Sequence, residues 1–100
     1  MATTKEYKNY ILEQLKQLDG ITCKPMMGEY LLYCNSILIG GIYDNRLLLK
    51  ICERNKKYNM SEDIPYDKAK PMYLVENVDN VELLTNIIYD TYKCLKDREQ

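Results

Sequence analysis

The amino-acid sequence predicts one α+β domain in which an antiparallel sheet is flanked by two main helices. The chain has 100 residues, the usual size of a single domain, and we expect one domain over residues 1–100. Apolar residues recur at helical spacing near both ends. Four short apolar runs, separated by turn-forming dipeptides, lie after the first helix. The predicted order is helix, four strands, a loop with a short helix, a fifth strand and a second main helix.

The first helix is predicted over about residues 4–18. The segment Thr3-Thr4-Lys5-Glu6 has the pattern of a capping box, an N-cap hydroxyl with a glutamate three residues later. Gly20 then provides a stop, because glycine tolerates the left-handed backbone that ends a helix. The apolar stripe of this helix consists of Tyr7, Tyr10, Ile11, Leu15 and Leu18.

The next segment predicts an antiparallel meander of four strands. The strands are expected over residues 21–26, 30–34, 37–43 and 46–52. The dipeptides between them suit two-residue hairpin turns: Gly28-Glu29, Asn35-Ser36 and Asp44-Asn45. With these turns, Tyr33 faces Leu38, and Ile42 faces Leu47.

The strands carry apolar residues on both faces. In the fourth strand Leu47 and Leu49 point one way, whereas Leu48 and Cys52 point the other. A sheet packed on one side only alternates more cleanly. We therefore expect the second face to be covered by the far helix, by the long loop or by another subunit. The adjacent glycines Gly40-Gly41 indicate a bulge or a close approach by another element.

The second half of the chain begins with a polar stretch over residues 53–71. A short helix is predicted near residues 54–60 and a fifth strand over residues 72–76. Asp79-Asn80 is a cap-like start for the second main helix. The apolar stripe of that helix consists of Val81, Leu84, Ile87, Ile88, Thr91 and Leu95.

Four segments of the chain share the pattern of one known family. Residues 24–33, KPMMGEYLLY, resemble its R-x-M-F-G-G-Y-G-L-Y segment, and residues 42–50, IYDNRLLLK, resemble its I-x-D-x-x-L-Y-L-K strand pair. Pro65-Tyr66 and residues 71–75, PMYLV, resemble the F-x-Y and M-x-Y-Y-x-V stretches before the last helix. The family is the N-terminal domain of the TfoX/Sxy competence regulators, and the resemblance covers about residues 4–97. Glu29 and Leu31 stand where the family tends to have glycines.

The resemblance implies a fold similar to secretion-chaperone-like α+β domains, which are prone to pairing. Full-length regulators of the family carry a second domain and promote transcription of competence genes. With 100 residues, this chain is expected to carry only the N-terminal domain. The regulatory function is therefore expected here as a protein-interaction role.

Charge and composition disfavour several other classes of protein. Fourteen Lys and Arg against fifteen Asp and Glu give a net charge of −1, with the basic residues scattered, so direct nucleic-acid binding is not expected. No apolar stretch is long enough for a signal peptide or a membrane span. The four cysteines form no C-x-x-C pair, and we interpret them as reduced thiols in a cytoplasmic protein.

No catalytic, cofactor or metal site is predicted. The chain has no histidine, the usual base beside a Ser or Cys nucleophile, so we expect no enzyme activity. The predicted first turn would place Cys23 directly opposite Cys34, as a redox pair or half of a soft-metal site. The competing interpretation, which we favour, is that these thiols pack as small apolar residues.

The hypothesis that follows is a non-enzymatic interaction domain with unknown protein partners, in which two copies form a homodimer. A nucleic-acid-binding regulator and a small-ligand domain with a pocket between sheet and helix are the alternatives. Most tyrosines are interpreted as packing residues. Lys50, which follows the apolar run of the fourth strand, is interpreted as a side chain whose amine reaches water. The residues predicted as an interaction surface are Gly28, Glu29, Lys50, Tyr58, Tyr66 and Tyr73.

Overall fold

The structure is a computed structural model that describes residues 2–98. It has a six-stranded antiparallel sheet, two α-helices and a short 3₁₀ helix. In chain order the elements are α1 (Lys5–Gln14), β1 (Ile21–Met26), β2 (Glu29–Cys34), β3 (Ile37–Ile42), β4 (Leu47–Leu49), the 3₁₀ helix (Glu53–Tyr58), β5 (Ser61–Asp63), β6 (Met72–Val75) and α2 (Val81–Arg98). The predicted α+β class and the two flanking helices are confirmed.

The strands lie in the order β1-β2-β3-β4-β6-β5. The first four form the predicted meander, and β6 corresponds to the predicted fifth strand. β5 was not predicted from the sequence; it is three residues long, lies inside the stretch predicted to be a polar loop, and pairs with β6. Its sequence, Ser-Glu-Asp, has neither the apolar alternation nor the β-branched residues that mark a strand.

Two of the three predicted hairpin turns are confirmed. Asn35-Ser36 and Asp44-Asn45 supply the positive φ angles that tight hairpin turns require, at 49° and 70° in the first and 52° and 56° in the second. The register that follows from them is also as predicted, since Tyr33 pairs with Leu38 and Ile42 with Leu47.

The first hairpin turns one residue earlier than predicted. Met27 and Gly28 occupy the turn, with φ of 51° and 86°, and Glu29 already belongs to β2. The register shift places Cys23 opposite Leu32, so the prediction that it lies directly opposite Cys34 is wrong. The two cysteines are diagonal neighbours, whose Cα atoms lie about 7–8 Å apart. That separation is too long for a disulfide without backbone movement.

The start of α1 also differs by one residue from the prediction. Thr4 is the N-cap, and its hydroxyl accepts a hydrogen bond from the Tyr7 amide at 3.1 Å. Thr3 is instead buried, and its hydroxyl donates to Oε1 of Glu29 at 2.7 Å. The helix ends at Gln14, earlier than the predicted residue 18, and the chain continues as turns to Gly20, whose φ is 84°.

Both α-helices pack on the same face of the sheet. The core between them contains Ile11 of α1 and Leu15 just after it, and Leu84 and Ile88 of α2, against strand residues such as Leu49. Burial of large aliphatic side chains of this kind stabilises the fold by roughly 1.5–3 kcal/mol each. Within residues 2–98 no helix has the length and hydropathy to cross a bilayer.

The second face of the sheet is partly covered by the long loop. Leu48 points away from the helices, opposite Gly41, and is nevertheless fully buried. Residues 64–71 lie over it, held by Arg46, whose guanidinium bonds Oδ2 of Asp63 at 2.7 Å and the carbonyl oxygens of Ile64 at 3.0 Å and Pro65 at 3.3 Å. The sequence left three candidates for covering this face: the far helix, the long loop or another subunit. Within residues 2–98, the loop is the one that covers β4.

Candidate functional site

The sheet surface that points away from the helices is called the outer face here. Over β1, β2 and β3 this face lies beyond the loop, and its side chains are only half-buried. Strand alternation places four apolar side chains there, and we call them the apolar patch: Met26, Leu31, Tyr33 and Leu38. The ammonium group of Lys24 lies 5.1 Å from the centre of the Tyr33 ring and borders the patch.

Tyr43 separates the apolar patch from the loop. Its ring lies over Gly41, where an added Cβ would come within 2.6 Å of Cε2 of Tyr43 and of the Tyr30 carbonyl oxygen. Only glycine leaves room for this ring. Burial, followed by the nearby Tyr66 and Glu29, raises the pKa of Tyr43, so its hydroxyl stays protonated at neutral pH.

A pocket of about 520 Å³ opens between the outer face and the loop. Leu38 and Gly40 of β3 lie on its sheet side, and Pro65 and Tyr66 belong to its loop side. Tyr43 lines it as well, with its ring centre 6.2 Å from that of Tyr66. The outer face therefore has two adjoining parts, the apolar patch and this outer-face pocket, and Leu38 belongs to both.

Three positively charged side chains line the outer-face pocket. Lys50 follows β4, Lys70 comes from the loop, and Arg98 is the last residue of α2. None of the lining residues in the described part of the chain is acidic. With an overall charge of −1, the domain thus concentrates positive charge at one concave site.

Of the six residues predicted as an interaction surface, the structure brings two together. Lys50 and Tyr66 both line the outer-face pocket, and Tyr66 is 60% exposed. Gly28 lies at the exposed first turn. The carboxylate of Glu29 is already bonded, because its Oε1 accepts from the Thr3 amide, the Thr3 hydroxyl and the Asp44 amide at 2.7–3.0 Å. Glu29 thus joins the N-terminus to two turns of the sheet.

The other two predicted residues lie on the helix side of the sheet. Tyr73 is buried there, two residues from Val75 of the core. The Tyr58 hydroxyl donates to Oδ2 of Asp90 at 2.6 Å, and burial together with this bond raises the pKa of Tyr58 to about 12. Tyr58, Tyr66 and Tyr73 therefore form no single surface, although all three flank the same loop in the sequence.

The pocket contains residues that sequence reasoning did not select. Lys70 has no distinguishing signal in its polar loop, and Arg98 is explained by its place at the end of α2, where positive charge is favourable. Tyr43 was interpreted as a strand residue. The pocket is lined by three cations, from the sheet, the loop and α2: Lys50, Lys70 and Arg98. Their spacing along the chain does not predict that they line the same pocket.

The four thiols are separate from the outer face. Burial raises the pKa values of Cys23 and Cys34, and it raises that of Cys52 to about 11. Burial also disfavours the thiolate of Cys94, but amides of the 3₁₀ helix and the neighbouring Cys52 outweigh it and lower the pKa. No group of three or more potential metal ligands lies together within residues 2–98.

Comparison with known proteins agrees with the resemblance seen in the sequence. The model of the TfoX N-terminal domain matches residues 13–93. An "Uncharacterized 12.7 kDa protein in trpE 5'region" of Spirochaeta aurantia is 30% identical over 80 residues, which are 78% of this chain and 70% of that protein. The residues that match the family model include the whole sheet, the loop and most of α2. This chain belongs to the TfoX N-terminal domain family.

Proposed function

We propose that this domain is a non-enzymatic regulatory module, and that two copies associate through the apolar patch. The observation that carries the proposal is the half-buried state of Leu31, Tyr33 and Leu38 on a face that no element of residues 2–98 covers completely. Contiguous apolar surface of this kind marks sites of protein interaction. Membership of the TfoX N-terminal domain family supports a regulatory setting.

The position of the patch favours contact through the face of the sheet rather than through its edge. The helix side is filled by α1 and α2, and the β4 side of the outer face is covered by the loop. Of the two edges of the sheet, β5 is only three residues long, and β1 contains Lys24 and Pro25. Lysine and proline both disfavour the addition of another strand, and proline cannot donate a ladder hydrogen bond. Face-to-face packing of two copies over β1, β2 and β3 is the arrangement left.

Charge and chemistry are consistent with this role. A net charge of −1 gives little repulsion between two copies. The chain has no histidine, and the polar groups at the outer-face pocket are lysine, arginine and tyrosine side chains. These groups bind and orient a partner, and no activated nucleophile lies among them. We expect the domain to act in the cytoplasm, where cysteines remain reduced.

Light scattering over a concentration series tests the association. The wild-type chain is expected to pass from monomer to dimer as its concentration rises. Tyr33→Ser is expected to weaken the dimer, because it removes an aromatic ring from the centre of the patch. Tyr89→Ser is the matched control, since Tyr89 is 51% exposed on α2, away from the outer face. Circular dichroism checks that both variants remain folded.

Two outcomes contradict the proposed association. One is a wild-type chain that remains a monomer up to about 1 mM, because a dimer weaker than that has negligible affinity. The other is equal weakening of the dimer by Tyr33→Ser and by the control Tyr89→Ser, which places the contact elsewhere.

A further inference from the structure

We propose that the outer-face pocket binds a small organic anion, a molecule with a flat apolar body and one phosphate or carboxylate group. This inference concerns the pocket beside the apolar patch, and it does not depend on association of two copies. It rests on the charge of the lining side chains, on two tyrosine rings, and on the way in which the pocket is held open.

The charge of the pocket is the first step. Lys50, Lys70 and Arg98 converge on it from three separate parts of the chain. Within residues 2–98 none of the three has a carboxylate within ion-pair distance, whereas Arg46 and Arg54 are each paired with an aspartate. Unpaired cations at a concave site attract an anion. The planar guanidinium can bond a phosphate or carboxylate with two parallel hydrogen bonds.

The aromatic side chains are the second step. The rings of Tyr43 and Tyr66 lie 6.2 Å apart at an interplanar angle of 57°, so they form a corner rather than a closed stack. Tyr66 is 60% exposed, and a flat ligand body resting on it would remove apolar ring surface from water. The volume of about 520 Å³ falls within the roughly 300–1,000 Å³ usual for small-molecule sites.

The third step is the way in which the pocket keeps its shape. The hydrogen bonds that fix its walls leave the charged groups of Lys50, Lys70 and Arg98 free of any part in them. On the sheet side, the Lys50 amide donates to the Ile39 carbonyl oxygen at 2.9 Å, and the Lys50 carbonyl oxygen accepts from Nδ2 of the buried Asn55 at 2.9 Å. On the loop side, the Ala69 amide bonds the Tyr66 carbonyl oxygen at 3.1 Å. A site ordered before binding loses less conformational entropy when a ligand enters.

Arg46 completes the support of the loop. Its guanidinium bonds the carbonyl oxygens of Ile64 and Pro65, as well as the carboxylate of Asp63. Arg46 therefore shapes the pocket but is already occupied, and the anion is left to the three lining cations. The ligand-binding role is assigned to Lys50, Lys70 and Arg98, with Tyr43 and Tyr66 as the surface for the apolar body.

Amide NMR spectra of the full-length chain, titrated with defined probes, test this proposal. The anionic probes are phenyl phosphate, benzoate and adenosine monophosphate, and the uncharged controls are phenol and adenosine. At least one anionic probe is expected to give saturable shifts at Tyr66, Ala69 and Lys70, with at least tenfold tighter binding than its uncharged control. Saturation by phenyl phosphate or by benzoate identifies which anionic group the pocket prefers.

Matched charge variants locate the binding. Lys50→Gln is expected to weaken the anionic probe at least tenfold, whereas Lys5→Gln, on the exposed surface of α1, is expected to leave it unchanged. The proposal is overturned if none of the anionic probes saturates up to about 10 mM, a weaker affinity than a built site provides. It is also overturned if the two variants act alike, or if the shifts lie outside the pocket. A single-stranded oligonucleotide that binds ten times more tightly than adenosine monophosphate would instead indicate a nucleic-acid surface.

Discussion

Replacement of Asp90 by alanine is expected to destabilise the fold, because the Asp90 side chain joins α2 to the 3₁₀ helix. Asp90 lies in α2 and is only 7% exposed. Its carboxylate accepts from the Tyr58 hydroxyl at 2.6 Å and forms ion pairs with Arg54 and Lys57, both at 3.0 Å. The Asp90→Ala variant therefore loses all of the bonds through which this carboxylate holds the 3₁₀ helix against α2.

The expected loss is about 2 kcal/mol of unfolding free energy. The partly buried Tyr58 hydroxyl, left without its acceptor, costs about 1–3 kcal/mol. The side chains of Arg54 and Lys57 are 43% and 62% exposed, so water replaces the carboxylate and each pair contributes about 0–1 kcal/mol. Alanine returns up to about 0.7 kcal/mol because it is the better helix former. For a domain of this size, the predicted fall in Tm is roughly 8–16 °C.

Urea unfolding followed by circular dichroism measures this loss. Asp97→Ala is the matched control, because Asp97 is an exposed aspartate on the same helix; its replacement adds helix propensity and removes a negative charge near the C-terminal end of the helix. Asp90→Asn is expected to lose about 1 kcal/mol, since the amide oxygen still accepts from Tyr58 but the charge is gone. An Asp90→Ala variant within about 0.5 kcal/mol of the Asp97→Ala control would refute the reasoning, because two exposed-site changes differ by no more than that.

The pH dependence of the same variants has a definite sign. Burial alone would raise the pKa of Asp90, but the bonds from Tyr58, Lys57 and Arg54 outweigh it and hold the pKa below its usual 3.8. The folded state therefore binds this proton less readily than the unfolded state. The stability advantage of the wild type over Asp90→Asn should be complete above pH 3.8 and should fall as the pH drops through the folded pKa. An advantage that does not change between neutral pH and pH 2 would contradict this.

Three further predictions concern other positions. Glu29→Ala should lower the free energy of unfolding in urea by about 2 kcal/mol. Glu29→Gln should lower it by less than half of that, because the glutamine side chain keeps an oxygen that accepts from the amide and hydroxyl of Thr3. Equal losses in the two variants would contradict the role of Glu29 as a hydrogen-bond acceptor. Gly40→Ala should unfold at least about 2 kcal/mol more easily, since its Cβ would lie 2.1 Å from the Leu48 carbonyl oxygen, and a neutral result would contradict that close approach. Unfolded, non-reduced protein should show all four thiols in a titration, and a count of two would contradict the interpretation of the cysteines as reduced thiols.

The parts of the fold that depend on local chemistry were predictable from the sequence. Asn35-Ser36 and Asp44-Asn45 tolerate positive φ, so both turns and the pairing across them followed directly. The start of α2 was equally local, since Oδ1 of Asn80 accepts from the Leu83 amide as a cap. In each case residues a few positions apart decide the structure.

The first hairpin was not predictable because a distant contact decides its register. Gly28 can stand at either central position of a two-residue turn, and the sequence offers no choice between them. In the structure Glu29 is drawn into β2, where its carboxylate bonds Thr3 and the Asp44 amide. Because the Thr3 hydroxyl donates to Glu29, Thr3 does not cap α1, although its spacing from Glu6 predicts a capping box.

The outer-face pocket could be predicted only in part, for a similar reason. Lys50 and Tyr66 stood out in the sequence as the end of an apolar strand and as a tyrosine in a polar loop. Arg98 joins them only through the path of α2, and the loop lies over the sheet because Arg46 bonds its carbonyl oxygens. The β5 strand was missed because its pairing with β6, and not its own composition, defines it.

The central claim is that this domain works through the outer face of its sheet, and amide NMR spectra at two concentrations test it most directly. Spectra at about 1 mM and at about 20 µM differ in dimer content for any association with a Kd between those values. The proposed association predicts that the signals that move belong to Met26, Leu31, Tyr33 and Leu38 and their neighbours on β1, β2 and β3. Identical spectra of a chain that light scattering shows to be a monomer at both concentrations, or changes confined to α1 and α2, would contradict it.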